Sequence, residues 1–263
     1  MPFVAEGDTA MAELDIDRAI RCAKASKLAY AEPGNVDEKA RVLGFADANV
    51  ALIKKKNHGA VTIMHPDCSI FAFRGTDGAD LDDWRTNVNF PPVESPLGEV
   101  HGGFWAAMEL FSEELQAFAD DAGQQKRFLT GHSLGGAMGC LARVRIDSAL
   151  TGLYTYAQPP VGTRDFAERF LRKFGPAYFR IVNFLDDAPS AFTPFLDPAK
   201  AMRPMGPPFE LYSGGELRSE PSAWLAIRDR SEYAVRSAWK RATFDIHSVD
   251  EHIRRLELLK NAS

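Results

Sequence analysis

The serine at position 133 lies in a pattern that could supply a nucleophile. Residues 131–136 read Gly-His-Ser-Leu-Gly-Gly and match G-x-S-x-G, with a short apolar segment before them and small residues after them. In a sharp strand-to-helix turn of this kind the serine is strained, and its hydroxyl stands clear of the sheet at the positive N-terminus of a helix. The pattern predicts Ser133 as the nucleophile of an acyl transfer. The alternative is a glycine-rich turn whose serine only caps a helix.

A serine nucleophile needs a base, and the base needs an acid that orients it. After such a turn the acid and then the histidine follow along the chain. Segment 183–189, behind an apolar strand candidate, offers the adjacent Asp186 and Asp187, and spacing alone does not choose between them. The histidines further along are His247 and His252. We expect His247 to be the base because it lies at a loop-to-helix junction, and we expect His252 to face solvent within the last helix.

The elements that would position these residues alternate along the middle of the chain. Strand-like segments at 127–130, 152–157 and 178–183 are separated by helical segments at 134–146 and 166–174. This order predicts a mostly parallel central sheet with helices on both faces. By periodicity we also expect a hairpin formed by 60–64 and 68–73, and helices at 15–30, 103–122, 223–239 and 248–259.

These segments together resemble the class 3 lipase family, which contains the triacylglycerol lipases of filamentous fungi. The resemblance covers about residues 68–189 and, more weakly, the surroundings of His247. It implies an α/β-hydrolase fold in a single domain over 1–263, with a short lid and post-lid segment at 77–92. The matching pieces are the Phe-Ala-Phe-Arg-Gly-Thr turn at 71–76, the Asp-Trp pair at 83–84, segment 87–92, the Val-His-Gly-Gly-Phe helix start at 100–104, the turn at 156–162 and the strand end at 180–183.

The resemblance also assigns site residues. The family pattern N-x-x-D-x-V-P, laid on 183–189, selects Asp186 as the acid. The family's Asp-His motif near the end of the domain selects His247 as the base, although here Ile246 separates Asp245 from His247. The residue after the nucleophile, Leu134, would supply one backbone N–H of the oxyanion hole. The resemblance implies that Thr76 supplies the second. Trp84 would cover an apolar cleft when the lid is closed, although a tryptophan buried beneath a loop is the alternative.

This sequence departs from the family pattern at positions that bear on the substrate. Pro160 stands where the family commonly has arginine, and segment 195–239 does not resemble the fungal members. We therefore expect a serine carboxylic ester hydrolase, a lipase or esterase, acting on lipid-like esters. A feruloyl or acetyl esterase and a phospholipase A1 are the alternatives within the enzymes. A catalytically dead hydrolase fold used for binding is the alternative outside them.

Composition bounds the remaining expectations. The 263 residues carry 31 Lys and Arg against 36 Asp and Glu, a net charge of −5 that lacks the basic footprint of a nucleic-acid-binding protein. Three cysteines do not make a disulfide framework. No metal or other cofactor is expected, and the partner is a small ester or lipid, at a lipid–water interface. Residues 1–15 lack an apolar leader and no long apolar run suggests a transmembrane segment. A cytoplasmic location is expected, with leaderless secretion as the alternative.

Overall fold

A central β-sheet organises the part of the chain that this computed structural model describes, namely residues 13–76, 90–121, 126–146, 150–186, 201–218 and 246–262. Within these ranges eight strands form the sheet in the order β1-β2-β3-β6-β7-β8-β9-β10. The four pairings from β3 to β9 are parallel, and the other three are antiparallel. The strands are β1 (Asn49–Lys55), β2 (His58–His65), β3 (Cys68–Phe73), β6 (Lys126–His132), β7 (Gly152–Tyr156), β8 (Tyr178–Asn183), β9 (Phe209–Leu211) and β10 (Leu217–Arg218); a separate hairpin pairs β4 (Pro92–Ser95) with β5 (Gly98–His101).

Helices cover both faces of this sheet. Successive side chains along a strand point to opposite faces, so each strand contributes to two separate hydrophobic cores. Phe71 and Phe73 of β3 belong to one core, whereas Ile70 and Ala72 belong to the other. The first core is closed by α3 to α6 and the second by α1 and α7. The helices are α1 (Ile16–Leu28), α2 (Val36–Val42), α3 (Gly102–Glu109), α4 (Ser112–Asp120), α5 (Leu134–Arg145), α6 (Arg164–Phe174) and α7 (Val249–Ala262), with a 3-10 turn at Gly175–Ala177.

The predicted alternation of strands and helices is confirmed, and the exceptions have physical reasons. The expected helix at 103–122 is two helices, interrupted at Leu110 and Phe111. Its apolar stripe remains buried on both sides of the interruption, so periodicity could not reveal the break. Strand β1 was not predicted because it is an edge strand with little buried surface. The helix expected at 223–239 lies outside the described residues.

The topology brings four strand ends to one edge of the sheet. Because β3, β6, β7 and β8 are parallel neighbours, their carboxyl ends all lie on that edge. The segments that follow them include Thr76, Ser133, Gln158 and Asp186. In open α/β sheets this edge is where ligands bind.

Candidate active site

Ser133 occupies the sharp turn between β6 and α5. Its φ of +56° and ψ of −125° lie outside the regions that most side chains adopt, which agrees with the strain expected from the sequence. The flanking glycines make the turn possible. A Cβ on Gly131 would lie 2.2 Å from the carbonyl carbon of Gly135, and a Cβ on Gly135 would lie 2.3 Å from the carbonyl oxygen of Phe73.

The Ser133 hydroxyl is fully buried, and its oxygen has no hydrogen-bond partner within the described ranges. The turn itself is anchored by the Ser133 N–H, which donates to the carbonyl of Tyr156 at 2.8 Å. Leu134 is the first residue of α5, and backbone N–H groups in a first helical turn have no acceptor within the helix. Ser133 is the N-cap of this helix, so its hydroxyl belongs to the residue immediately before a helix N-terminus, which favours negative charge.

His247 and Asp186 form a buried pair. The Nδ1 atom of His247 is 3.0 Å from each carboxylate oxygen of Asp186. Because a carboxylate only accepts, Nδ1 donates the proton, and the lone pair of neutral His247 resides on Nε2. That Nε2 atom is buried and has no partner among the described side chains and backbone groups. Asp187, the alternative acid, lies outside the described residues.

Two side chains hold the backbone around His247. The amide nitrogen of Asn183 donates to the carbonyl of Ile246 at 2.7 Å, and Nε2 of His132 contacts the carbonyl of His247. The rings of His132 and His247 are 4.8 Å apart. Since His132 immediately precedes Ser133, this contact places His247 beside the residue before the serine. Neither side chain was singled out from the sequence, although each lies inside a motif that was.

The expectation that His252 faces solvent is wrong. Its side chain is fully buried, with Nδ1 2.9 Å from the carbonyl of Ser248, and burial lowers its pKa to about 3. The reason is helical spacing. His252 shares one face of α7 with Val249, Ile253 and Leu256, and that face packs against the core under the sheet.

The loop after β3 runs beside the nucleophile turn. A Cβ on Gly75 would lie 3.3 Å from the Cβ of Ser133 and 2.5 Å from the carbonyl oxygen of His132, so the two backbones are in close contact. Thr76, the next residue, is half-buried. Trp84 and most of the expected lid at 77–92 lie outside the described residues.

No group of three or more His, Cys, Asp or Glu side chains in the described ranges is arranged to hold a metal ion. In the same ranges, no helix combines the length and the apolar character that a membrane crossing requires.

Solved structures of lipases share this fold. Lipase from Rhizopus microsporus var. chinensis matches 84% of this chain and 80% of its own, with a TM-score of 0.59 and 20% identity. Lip2 lipase from Yarrowia lipolytica matches 79% of this chain and 82% of its own, with a TM-score of 0.59 and 18% identity. The expected α/β-hydrolase fold is thereby confirmed.

The curated relatives contradict the expected cytoplasmic location. Secreted mono- and diacylglycerol lipase 1 of Fusarium solani is 34% identical over 119 residues, which cover 42% of this chain and 35% of that protein. Malassezia globosa contributes another lipase named as secreted, 25% identical over 198 residues, or 66% of this chain and 64% of the relative. The expectation was wrong because it rested on the acidic composition of residues 1–15, which describes that segment alone.

A plant relative and a family profile complete the comparison. Triacylglycerol lipase OBL1 of Arabidopsis thaliana is 28% identical over 171 residues, 46% of this chain and 33% of the relative. The chain thus spans about a third of the length of this relative and of the Fusarium one. The profile described as Lipase (class 3) matches residues 70–195, a range that includes Ser133 and Asp186. The resemblance to class 3 lipases is therefore confirmed over residues 70–195, the part of the chain that the family profile matches.

Proposed function

We propose that this chain is a serine carboxylic ester hydrolase that acts on lipid-like esters through Ser133, His247 and Asp186. One observation carries the proposal. The buried His247–Asp186 pair leaves the Nε2 lone pair of the histidine without a partner, and the Ser133 hydroxyl of the strained turn also has none among the described residues. Neither atom is engaged elsewhere among the described residues, so the hydroxyl can donate to Nε2 once the two come within hydrogen-bond reach, which nucleophilic activation requires.

The geometry supports a two-step acyl transfer. Nε2 of His247 takes the Ser133 proton as Oγ attacks the ester carbonyl, and Asp186 stabilises the imidazolium that forms. The N–H groups of Leu134 and Thr76 receive the oxyanion. The tetrahedral intermediate collapses, and the imidazolium gives its proton to the leaving alkoxide. Water, deprotonated by His247, then releases the acid from the acyl-enzyme and returns the proton to Ser133.

The lipid-like character of the substrate rests on the relatives. The Arabidopsis protein is named as a triacylglycerol lipase, and the Fusarium protein as a mono- and diacylglycerol lipase. For the present chain this favours an acylglycerol over a feruloyl or acetyl ester or a phospholipid. Because the chain is short relative to these proteins, the acyl donor needs a direct test.

Hydrolysis of p-nitrophenyl esters of increasing chain length tests the reaction. We expect Ser133→Ala to lower kcat by roughly 10⁶, as when a serine nucleophile is removed elsewhere. Ser112→Ala is the matched control, because the hydroxyl of this serine, at the start of α4, bonds to the carbonyl and the carboxylate of Glu109. Undiminished activity of Ser133→Ala would overturn the proposal.

A panel of esters tests the substrate class. Emulsified triacylglycerol and diacylglycerol, a phosphatidylcholine and methyl ferulate are offered to the unmodified chain, with release of acid as the readout. The proposal predicts the highest kcat/KM for an acylglycerol. A higher value for the ferulate or for the phospholipid would replace the lipid-ester assignment by the corresponding alternative and leave the Ser133 chemistry in place.

A further inference from the structure

A line of hydrogen-bonding groups runs from Tyr30 through His132 to the backbone of His247. The Tyr30 hydroxyl is 3.0 Å from Nδ1 of His132, and Nε2 of His132 contacts the carbonyl oxygen of His247. Tyr30 lies two residues after α1, His132 is the last residue of β6, and His247 lies two residues before α7. The line therefore joins distant parts of the chain beneath the candidate active site.

The direction of these hydrogen bonds can be assigned. A backbone carbonyl only accepts, so His132 donates from Nε2 to His247. His132 is buried, and burial together with the nearby His247 and His252 holds its pKa well below the ordinary value. The ring is therefore neutral and carries a single N–H, which leaves Nδ1 as an acceptor. Tyr30 must then donate to Nδ1, and its hydroxyl fixes the tautomer that His247 requires.

The same hydroxyl touches the loop that leads to Thr76. A Cβ on Gly75 would lie 2.3 Å from the Tyr30 hydroxyl oxygen. The guanidinium of Arg74 lies over the Tyr30 ring, 5.7 Å from its centre. Tyr30 thus contacts His132, which holds the backbone of His247, and also the segment after β3 that leads to Thr76, the proposed oxyanion donor.

We propose that His132 and Tyr30 are positioning residues for His247, an inference that rests on the proposed function of the Ser133 site. Asp186 holds the imidazole ring of His247 by Nδ1, and His132 holds its backbone carbonyl. Without the second anchor the ring stays paired with Asp186, but Nε2 drifts relative to Ser133. A misplacement of about 1 Å can cost a reaction roughly 10²-fold. The chemical step suffers, whereas binding of the ester does not.

Tyr30→Phe tests the first link, since it removes the hydroxyl and keeps the ring that packs under Arg74. We expect kcat for a p-nitrophenyl ester to fall about tenfold, with KM within about twofold, because the His132 tautomer is no longer fixed. Tyr154→Phe is the matched control. It removes the hydroxyl of a buried tyrosine of the second core that none of these hydrogen bonds involves, and it is expected to keep kcat.

His132→Phe and His132→Gln test the second link. Phenylalanine fills the ring volume without a donor, and we expect kcat to fall about 10²-fold. Glutamine places an amide N–H near the position of Nε2 and should recover about tenfold of that loss. If Tyr30 acts on His247 only through His132, adding Tyr30→Phe to His132→Phe should change kcat by less than about twofold.

The outcomes separate this proposal from the proposed function. If Ser133→Ala is inactive while Tyr30→Phe and His132→Phe keep full kcat, the positioning role is wrong and the esterase stands. Equal tenfold losses from Tyr30→Phe in both backgrounds, or losses confined to KM, would also overturn it. If His132→Phe does not fold, Tyr30→Phe alone and with His132→Gln supplies the same cycle. If Ser133→Ala is active, the function itself fails.

Discussion

Close contact between two glycines explains how Ser133 is held. Gly131 and Gly135 allow β6 and α5 to approach so nearly that no Cβ fits between them. The sequence was sufficient to predict this turn and its serine, because the motif is local and its steric requirement is strict. It was insufficient for His252 and Asn183, whose environments depend on how α7 packs against the sheet.

Replacing one of these glycines should therefore cost stability. Gly131→Ala places a Cβ 2.2 Å from the Gly135 carbonyl carbon and forces α5 away from β6. We expect the free energy of unfolding to fall by about 3 kcal/mol, the upper range for overpacking. Gly34→Ala is the control, since a Cβ there meets nothing within 4 Å. Equal urea midpoints for the two variants would contradict this reading.

The acid of the pair gives a second prediction at this scale. Asp186→Asn keeps the shape of the side chain but no longer stabilises a protonated His247, so we expect kcat to fall by about 10⁴. Asp165→Asn, on the exposed start of α6, should leave kcat unchanged. The measurement is ester hydrolysis at neutral pH. An Asp186→Asn variant with wild-type kcat would exclude the assigned acid.

Among the elements, α7 matters most because His247 lies only two residues before it. Its buried face packs on the second core, and ion pairs with α1 line its rim: Lys24 with Glu257 at 2.8 Å, and Lys260 with Asp17 at 2.6 Å. The last helix was predictable from its apolar spacing. Strands β9 and β10 were not, because three and two residues are too few to show a period.

Burial rather than ion pairing should hold α7 in place. Leu256 is fully buried, and Leu256→Ala is expected to lower the free energy of unfolding by about 2–5 kcal/mol. Lys24→Ala removes a partly exposed ion pair and should cost less than about 1 kcal/mol. Urea unfolding of both variants distinguishes the two contributions. A larger loss for Lys24→Ala would show that the ion pairs dominate.

For the molecule as a whole, buried histidines link folding to pH. Burial lowers the pKa of His101 to about 4 and that of His252 to about 3, and it holds that of His132 well below its ordinary value. The unfolded chain binds these protons near the ordinary pKa of about 6.5, whereas the folded chain does not. Stability contributed by these groups is therefore complete above about pH 6.5 and falls as the pH decreases towards 4.

The slope of stability against pH can be measured. Each such histidine should lower the free energy of unfolding by up to about 1.4 kcal/mol per pH unit between pH 6 and 5. His101→Asn keeps an acceptor for the Phe104 N–H, which His101 caps at 3.3 Å, and removes one titrating group. Urea unfolding at pH 7.5, 6 and 5 should give a shallower slope for this variant. An unchanged slope would contradict the role of His101.

The parallel direction of the central strands and the class 3 lipase resemblance were also accessible from the sequence at this scale. The local βαβ alternation fixes parallel neighbours, and the family motifs lie at their carboxyl ends. The cellular compartment could not be predicted, since the composition of residues 1–15 carries no record of where the relatives act.

Covalent labelling by a fluorophosphonate tests the central claim most directly, because this reagent phosphonylates a serine only where a base activates it. Peptide mapping after labelling should find the adduct on Ser133. Ser133→Ala should show no adduct, and Asp186→Asn should be labelled far more slowly than Asp165→Asn. An unlabelled wild-type chain, or an adduct on a different serine, would contradict the assignment of Ser133 as an activated nucleophile.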